Sequence, residues 1–204
     1  MTYLDLPFIS KVTENQEAFG NGVIALADRI GWQPSWLMIV MNNESGLNSH
    51  IRNLAGGSAT GLIQFTAATA SDLGTTTDAL ATMSNVDQLA YVEKYLTKYG
   101  YASKVNDVGD AYLTVFYPAA LWKDDTFMFP SWAVNANPVF DLDHDGKLSK
   151  AEFKQYVNQK YGALIPAAET EDYQTKKKTK AVLWITLSVV AIAIIGYIIY
   201  KKFK

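Results

Sequence analysis

Cysteine is absent, which excludes a disulfide framework and any thiolate metal site, and leaves the redox character of the compartment open. No excess of one charge stands out either. With 18 basic and 20 acidic side chains the formal net charge is −2, so nothing electrostatic points to nucleic acid, and no such partner is expected. Histidine is limited to His50 and His144, and neither has a sequence neighbour that suggests catalysis. No stretch alternates strongly enough between apolar and polar residues to demand a sheet, and no internal repeat occurs. The first residues, MTYLDLPFISK, lack a basic n-region and are interrupted by Asp5 and Pro7, so no secretory signal is expected there.

What is present is a chain of 204 residues, 49% hydrophobic, long enough for one compact domain plus attachments. Most of it reads as helix. Apolar spacing predicts a helix over 11–30 that Gly31 stops, and Pro34 opens a second over 34–44. Residues 45–60, rich in Gly, Ser and Asn, read as a loop or a short irregular hairpin. Thr60 is expected to cap a helix over 61–73 that Gly74 ends, and two more helices are expected over 85–99 and 107–121. Scattered charge and a lysine cluster make 162–180 a linker. The expected fold class is mainly α, with little or no β.

One long hydrophobic run stands at 181–200, AVLWITLSVVAIAIIGYIIY, with Lys176, Lys177, Lys178 and Lys180 before it and Lys201, Lys202 and Lys204 after it. About 20 helical residues at about 1.5 Å each span roughly 30 Å, the thickness of a hydrocarbon core. Trp184, Tyr197 and Tyr200 lie toward the ends, where an aromatic belt would sit. The run is therefore expected to be a single-pass transmembrane helix with a lipid membrane as its partner, and 201–204 a basic tail.

Glu44 closes the apolar helix expected over 34–44. Leu37 and Met41 precede it on the same face, so its carboxyl would sit against apolar neighbours beside a polar loop. Desolvation of that kind favours the neutral acid and suits a general acid near neutral pH. Around it stand Glu44, Ser45 and Asn48, a Gly-rich loop, and then Gly61, Leu62, Ile63, Gln64 and Phe65 ahead of TAATA at 66–70. These residues resemble the lytic transglycosylase and goose-type lysozyme superfamily, whose pattern is E-S-x-x-N followed by G-L-M-Q-x-x-P-x-T-A. The resemblance covers roughly 10–125, and a lysozyme-like helical domain is expected over 1–134.

The resemblance implies a role for each matching residue. Glu44 would protonate the glycosidic oxygen between N-acetylmuramic acid and N-acetylglucosamine in peptidoglycan glycan strands. Ser45 would support that carboxyl, Gly61 would let the next helix start close to the groove, and Gln64 would face the sugar. The family's A-Y-N-A-G is matched only by FYPAA at 116–120, which keeps Tyr117 and replaces the asparagine with Pro118. Tyr117 is one candidate hydroxyl near the acid, and Tyr112 is the rival. Between Ser45 and Ser71 there is no Asp or Glu. A second carboxylate is what hydrolytic glycosidases ordinarily need. Its absence leans toward a lyase, in which the muramic acid 6-hydroxyl attacks internally and a 1,6-anhydro product results. A hydrolytic lysozyme (muramidase) and an inactive structural or glycan-binding virion protein are the alternatives.

Residues 141–152, DLDHDGKLSKAE, fit the twelve-residue EF-hand pattern at every position. Asp141, Asp143 and Asp145 would offer side-chain oxygens to Ca2+, Lys147 its carbonyl, Ser149 a direct or water-mediated contact, and Glu152 two oxygens. A good exiting helix is expected over 153–161 and a poor entering one over 135–140, which suits a structural clip over 135–161. Tyr91, Tyr95 and Tyr99, four residues apart, are expected to be core packing. No organic cofactor is expected. An anchor at 181–200 without a signal leaves the domain on the wrong side for its implied substrate. A bacteriophage virion with an internal membrane, shared with other virion proteins, is the expected location; the bacterial cell envelope is the alternative.

Overall fold

Six successive apolar residues, Trp36 to Met41, leave a helix no polar face, and such a helix must be covered on all sides. In the computed structural model, which describes residues 1–53 and 57–202 (side chains of 189, 190, 192, 193, 196, 197 and 199–202 excepted), that is what happens. Trp36, Leu37, Met38, Ile39, Val40 and Met41 are each at most 3% exposed. Leu54, Ala55 and Gly56 of the expected Gly-rich loop, and Phe203 and Lys204 of the expected tail, lie outside the described residues.

The first unit, Met1–Pro166, is built from α1 (Gln16–Ile30), α2 (Pro34–Ser45), α3 (Ala67–Asp72), α4 (Thr77–Thr82), α5 (Asn85–Lys98), α6 (Val108–Phe116), α7 (Ser131–Ala136) and α8 (Lys150–Tyr161), with short 3-10 turns between them. The central helix α2 packs against α1 on one side and α6 on the other, α5 backs α1, and α8 backs α6. Among the described residues no strand forms. Extended pairing is limited to isolated bridges of Arg52 with Thr60, Thr60 with Phe65, and Met128 with Ser149. The mainly helical expectation stands.

Several boundaries moved for local reasons. The helix expected from residue 11 begins at Gln16, because Ile9–Lys11 form a 3-10 turn and Asn15 adopts a left-handed φ of 48°. The carbonyl of Glu14 is instead held by Asn85 Nδ2 at 2.7 Å, a long-range contact that periodicity does not reveal. Thr60 is not a cap. It is buried and bridged, and Thr66 caps α3 by accepting from the N–H of Thr69. The helix expected over 107–121 stops at Phe116, where Pro118 removes a backbone donor and a 3-10 turn follows. His50 is not a lone histidine: its Nε2 lies 3.1 Å from Glu14 Oε1 and its Nδ1 2.8 Å from the Ala81 carbonyl.

The segment 135–161 belongs to the first unit, so it shares a core with 1–134. The second unit begins at Ala167 and consists of one helix, α9 (Ala167–Lys202). The expected linker is thus helical from 167 onward. The expected transmembrane anchor is overturned: among the described residues, no helix is long and apolar enough to cross a membrane. α9 opens on a polar stretch that includes Glu171, Asp172, Lys176 and Lys180. The placement in a virion or envelope membrane rested on that anchor and falls with it.

Candidate active site

α2 ends where Gly46 takes a left-handed φ of 61° and its N–H turns back to the Asn42 carbonyl. That stop places Glu44 in the last turn, above Leu37 and Met41, which are 2% and 0% exposed. Glu44 itself is half-buried at an open cleft lined by Ile63, Gln64, Phe65, Thr66, Thr69, Tyr95 and Val115. Among the described residues nothing hydrogen-bonds its carboxyl group. Burial alone pushes its pKa from 4.5 up to about 7. A group with that pKa is in part protonated at neutral pH and gives up its proton readily, as a general acid must.

The wall opposite Glu44 is a tight turn. Gly61 has φ 79°, and Gln64 is left-handed at φ 54°. A side chain at Gly61 would be strained by that φ and would also run into Gln88 Oε1. Gln88, fully buried on α5, is the hub of this wall. It accepts from the N–H of Leu62 at 3.0 Å and donates to the carbonyls of Ser49 and Leu80, both at 2.6 Å. Sequence reading missed it. The available signal was a pair of polar residues, Asn85 and Gln88, at core-facing positions of a helix that otherwise buries Leu89, Val92 and Leu96.

Ser45 is buried and does not face the cleft. Its hydroxyl lies 2.9 Å from the Met41 carbonyl and 3.0 Å from the Leu62 carbonyl, so it ties the residue after the acid to the opposite wall. Gln64 lines the cleft and donates Nε2 to the Gly61 carbonyl at 3.0 Å. The two tyrosine candidates separate. Tyr117 sits in an aromatic group with Phe127, Phe129 and Trp132. Tyr112 is close enough to Glu44 for their charges to interact: burial first, and then the Glu44 carboxylate, raise its pKa, so it stays a neutral donor. Tyr95, expected to be packing, does pack edge-on against Phe65, yet it also lines the cleft, with its hydroxyl donated to the Thr114 carbonyl at 2.6 Å.

No second carboxylate lines the cleft among the described residues. Asp72, the next acid in sequence, is exposed and engaged elsewhere: Lys98 lies 2.7 Å away and the Tyr99 hydroxyl donates to it. These contacts hold its pKa below the usual carboxylate range.

A second cluster lies at 141–152. Asp141, Asp143 and Asp145 each present an oxygen, and the three lie within 4.8 Å of one another. The loop closes on itself through Gly146 N–H to Asp141 Oδ2 at 2.9 Å and Lys147 N–H to Asp145 Oδ1 at 2.8 Å. His144 and Gly146 are left-handed. Glu152 Oε2 accepts from the backbone and the hydroxyl of Ser149, an N-terminal capping box for α8. The other oxygens of the two end residues, Asp141 Oδ1 and Glu152 Oε1, are buried without a hydrogen-bond partner.

A half-buried acid at a helix end thus faces an open cleft in a unit whose described residues are helices and turns. Residues 22–100 match the family model described as the Transglycosylase SLT domain. Glu44, Ser45, Gly61 and Gln64 fall inside the matched stretch; Tyr112, Tyr117 and the 141–152 loop fall outside it. Comparison with curated proteins and with solved structures gives no match.

Proposed function

We propose that this protein is a peptidoglycan lytic transglycosylase in which Glu44 serves as acid and then as base. The protonated carboxyl gives its proton to the glycosidic oxygen between N-acetylmuramic acid and N-acetylglucosamine. The C1–O bond breaks, and the N-acetylglucosamine side leaves as an alcohol. Positive charge develops at C1 of the muramic acid. The Glu44 carboxylate then takes the proton of the C6 hydroxyl as O6 closes on C1, which restores the acid and leaves a 1,6-anhydro ring. No water and no second carboxylate enter these steps.

The single observation that carries this reading is the half-buried Glu44, its pKa raised to about 7, in a cleft whose described lining holds no other acid. Tyr112 supports it as a neutral hydroxyl beside the carboxyl, and Gln64 as the polar side chain on the opposite wall. Ser45 and Gln88 act as positioning residues, since each joins the walls without lining the cleft.

Digestion of purified peptidoglycan, followed by mass analysis of the products, tests the proposal. Anhydro-muropeptides from the wild type and none from Glu44→Gln are the expected result. Hydrated products would make the protein a hydrolytic muramidase. No products from the wild type would leave a glycan-binding protein without the chemistry.

A further inference from the structure

Buried carboxylate oxygens are costly to leave unpaired, and native proteins supply a donor or a cation. Asp141 is 7% exposed, and its Oδ1 has no partner; Glu152 Oε1, at the other end of the loop, has none either. Between them Asp143 and Asp145 bring further carboxylates within 4.8 Å of Asp141. The Lys147 ammonium approaches Asp145 only to 3.8 Å. Three carboxylates therefore gather at the start of the loop, and two buried oxygens, one on each of its end residues, have nothing to meet. Their number, and a terminal glutamate able to offer two oxygens, suit calcium better than the smaller, strictly octahedral magnesium.

The loop is also mechanically joined to the cleft. Its far end pairs with a strand-like stretch, Phe129 N–H to the Leu148 carbonyl and Lys150 N–H to the Phe127 carbonyl, both at 2.8 Å. Glu152 lies in the first turn of α8, and one residue on, Phe153 is fully buried and stacks on Phe116 of α6 at 4.7 Å. Lys154 holds Asp110 and Asp107 at 2.7 and 3.0 Å. At the other end of α8 the Tyr161 hydroxyl donates to Asn43 Oδ1 at 2.5 Å. Asn43 is the residue before Glu44. α8 thus reaches from the acidic loop to the back of the acid.

We propose that residues 141–152 bind one calcium ion through Asp141, Asp143, Asp145 and Glu152, and that this ion seats α8 so that Tyr161 holds Asn43, and with it Glu44, in place. The second half rests on the reading of Glu44 as the acid. Tyr161 and Asn43 are positioning residues in this scheme.

Titration calorimetry of the full chain with calcium, with magnesium as control, is expected to show one calcium site that Asp145→Ala weakens at least 10-fold. At calcium a hundred times its Kd, the Tm of the wild type is expected to rise by about 5–10 °C, and that of Asp145→Ala far less. Asp145 is exposed, so this variant leaves the core intact. With glycan substrate, chelation is expected to lower kcat at least 10-fold and to change KM little. Tyr161→Phe is expected to bind calcium as the wild type does while losing most of that kcat gain. No binding heat and no Tm shift would overturn the site. Calcium binding with kcat unchanged on chelation, or unchanged dependence in Tyr161→Phe, would overturn the coupling. An inactive wild type that still binds calcium and gains in Tm would leave the site standing and count against Glu44 instead.

Discussion

The Ser45 hydroxyl lies 3.0 Å from the Leu62 carbonyl and spans the gap between the helix that ends in the acid and the turn that faces it. Glu44 and Gln64 are thereby held across one cleft by a buried residue that does not line it. Ser45→Ala removes the donor and leaves the Leu62 carbonyl buried with less to satisfy it. The expected cost is about 1–2 kcal/mol of stability, read from urea melts. A fall in kcat larger than any rise in KM is expected alongside, since wall and acid lose register.

Glu44 ties activity to pH through a stated sign. The proposed mechanism needs its acid form, and its folded pKa of about 7 lies above the ordinary 4.5. Activity is therefore expected to fall as pH rises through about 7. Stability follows the same linkage. Below pH 4.5 both folded and unfolded chains carry the proton and no penalty arises. Between 4.5 and 7 the unfolded chain ionises more readily, and the folded state loses up to about 2–3 kcal/mol. Glu44→Gln is thus expected to be inactive, to match the wild type in stability at pH 4, and to exceed it at pH 8. Thermal melts at the two pH values check this.

Gly61 and Gln88 are expected to be mutually intolerant of change. Gly61→Ala forces a side chain into a left-handed φ and against Gln88 Oε1, at a cost of about 2 kcal/mol or more. Gln88→Leu strands the Leu62 N–H and two carbonyls at once, at about 2–5 kcal/mol. Denaturant unfolding of each variant reads these directly. The double variant, with room restored but the hydrogen bonds gone, is expected to be no worse than Gln88→Leu.

The two tyrosines are distinguishable by kinetics. Tyr112→Phe is expected to lower kcat about 10-fold or more with little change in stability, the scale of one lost transition-state hydrogen bond. Tyr117→Phe, from a ring that packs on Phe129 and Trp132, is expected to leave kcat unchanged. Equal effects of the two would remove Tyr112 from the site.

Lys154 neutralises a carboxylate that water scarcely reaches. Burial alone would lower its pKa, but Asp110 and Asp107 outweigh that and raise it. Lys154→Met leaves Asp110, whose side chain is 6% exposed, unpaired, and about 3 kcal/mol of stability is expected to go with it. Pairing it with Asp110→Asn is expected to restore most of that loss. A double-mutant cycle measures the difference.

The sequence by itself determined the central helix and the place of Glu44 at its end. A run from Trp36 to Met41 with no polar face dictates a buried central helix, Gly46 dictates its end, and Glu44 follows as a carboxyl on that end. The spacing of Asp141, Asp143, Asp145 and Glu152 is likewise local, because the loop proposed to hold calcium is written in consecutive residues. Only the tertiary structure decided what surrounds Glu44. Tyr112, Tyr95 and Val115 come to it from other helices, Gln88 braces the far wall from within α5, and Tyr161 reaches Asn43 across more than a hundred residues of chain. Local periodicity reports which face of a helix is buried, not which helix covers it. The length of an apolar run likewise did not decide the fate of 181–200. The described helix that contains it is not long and apolar enough to cross a membrane. A pKa near 7 is a property of packing, because desolvation depends on neighbours that the chain order does not name.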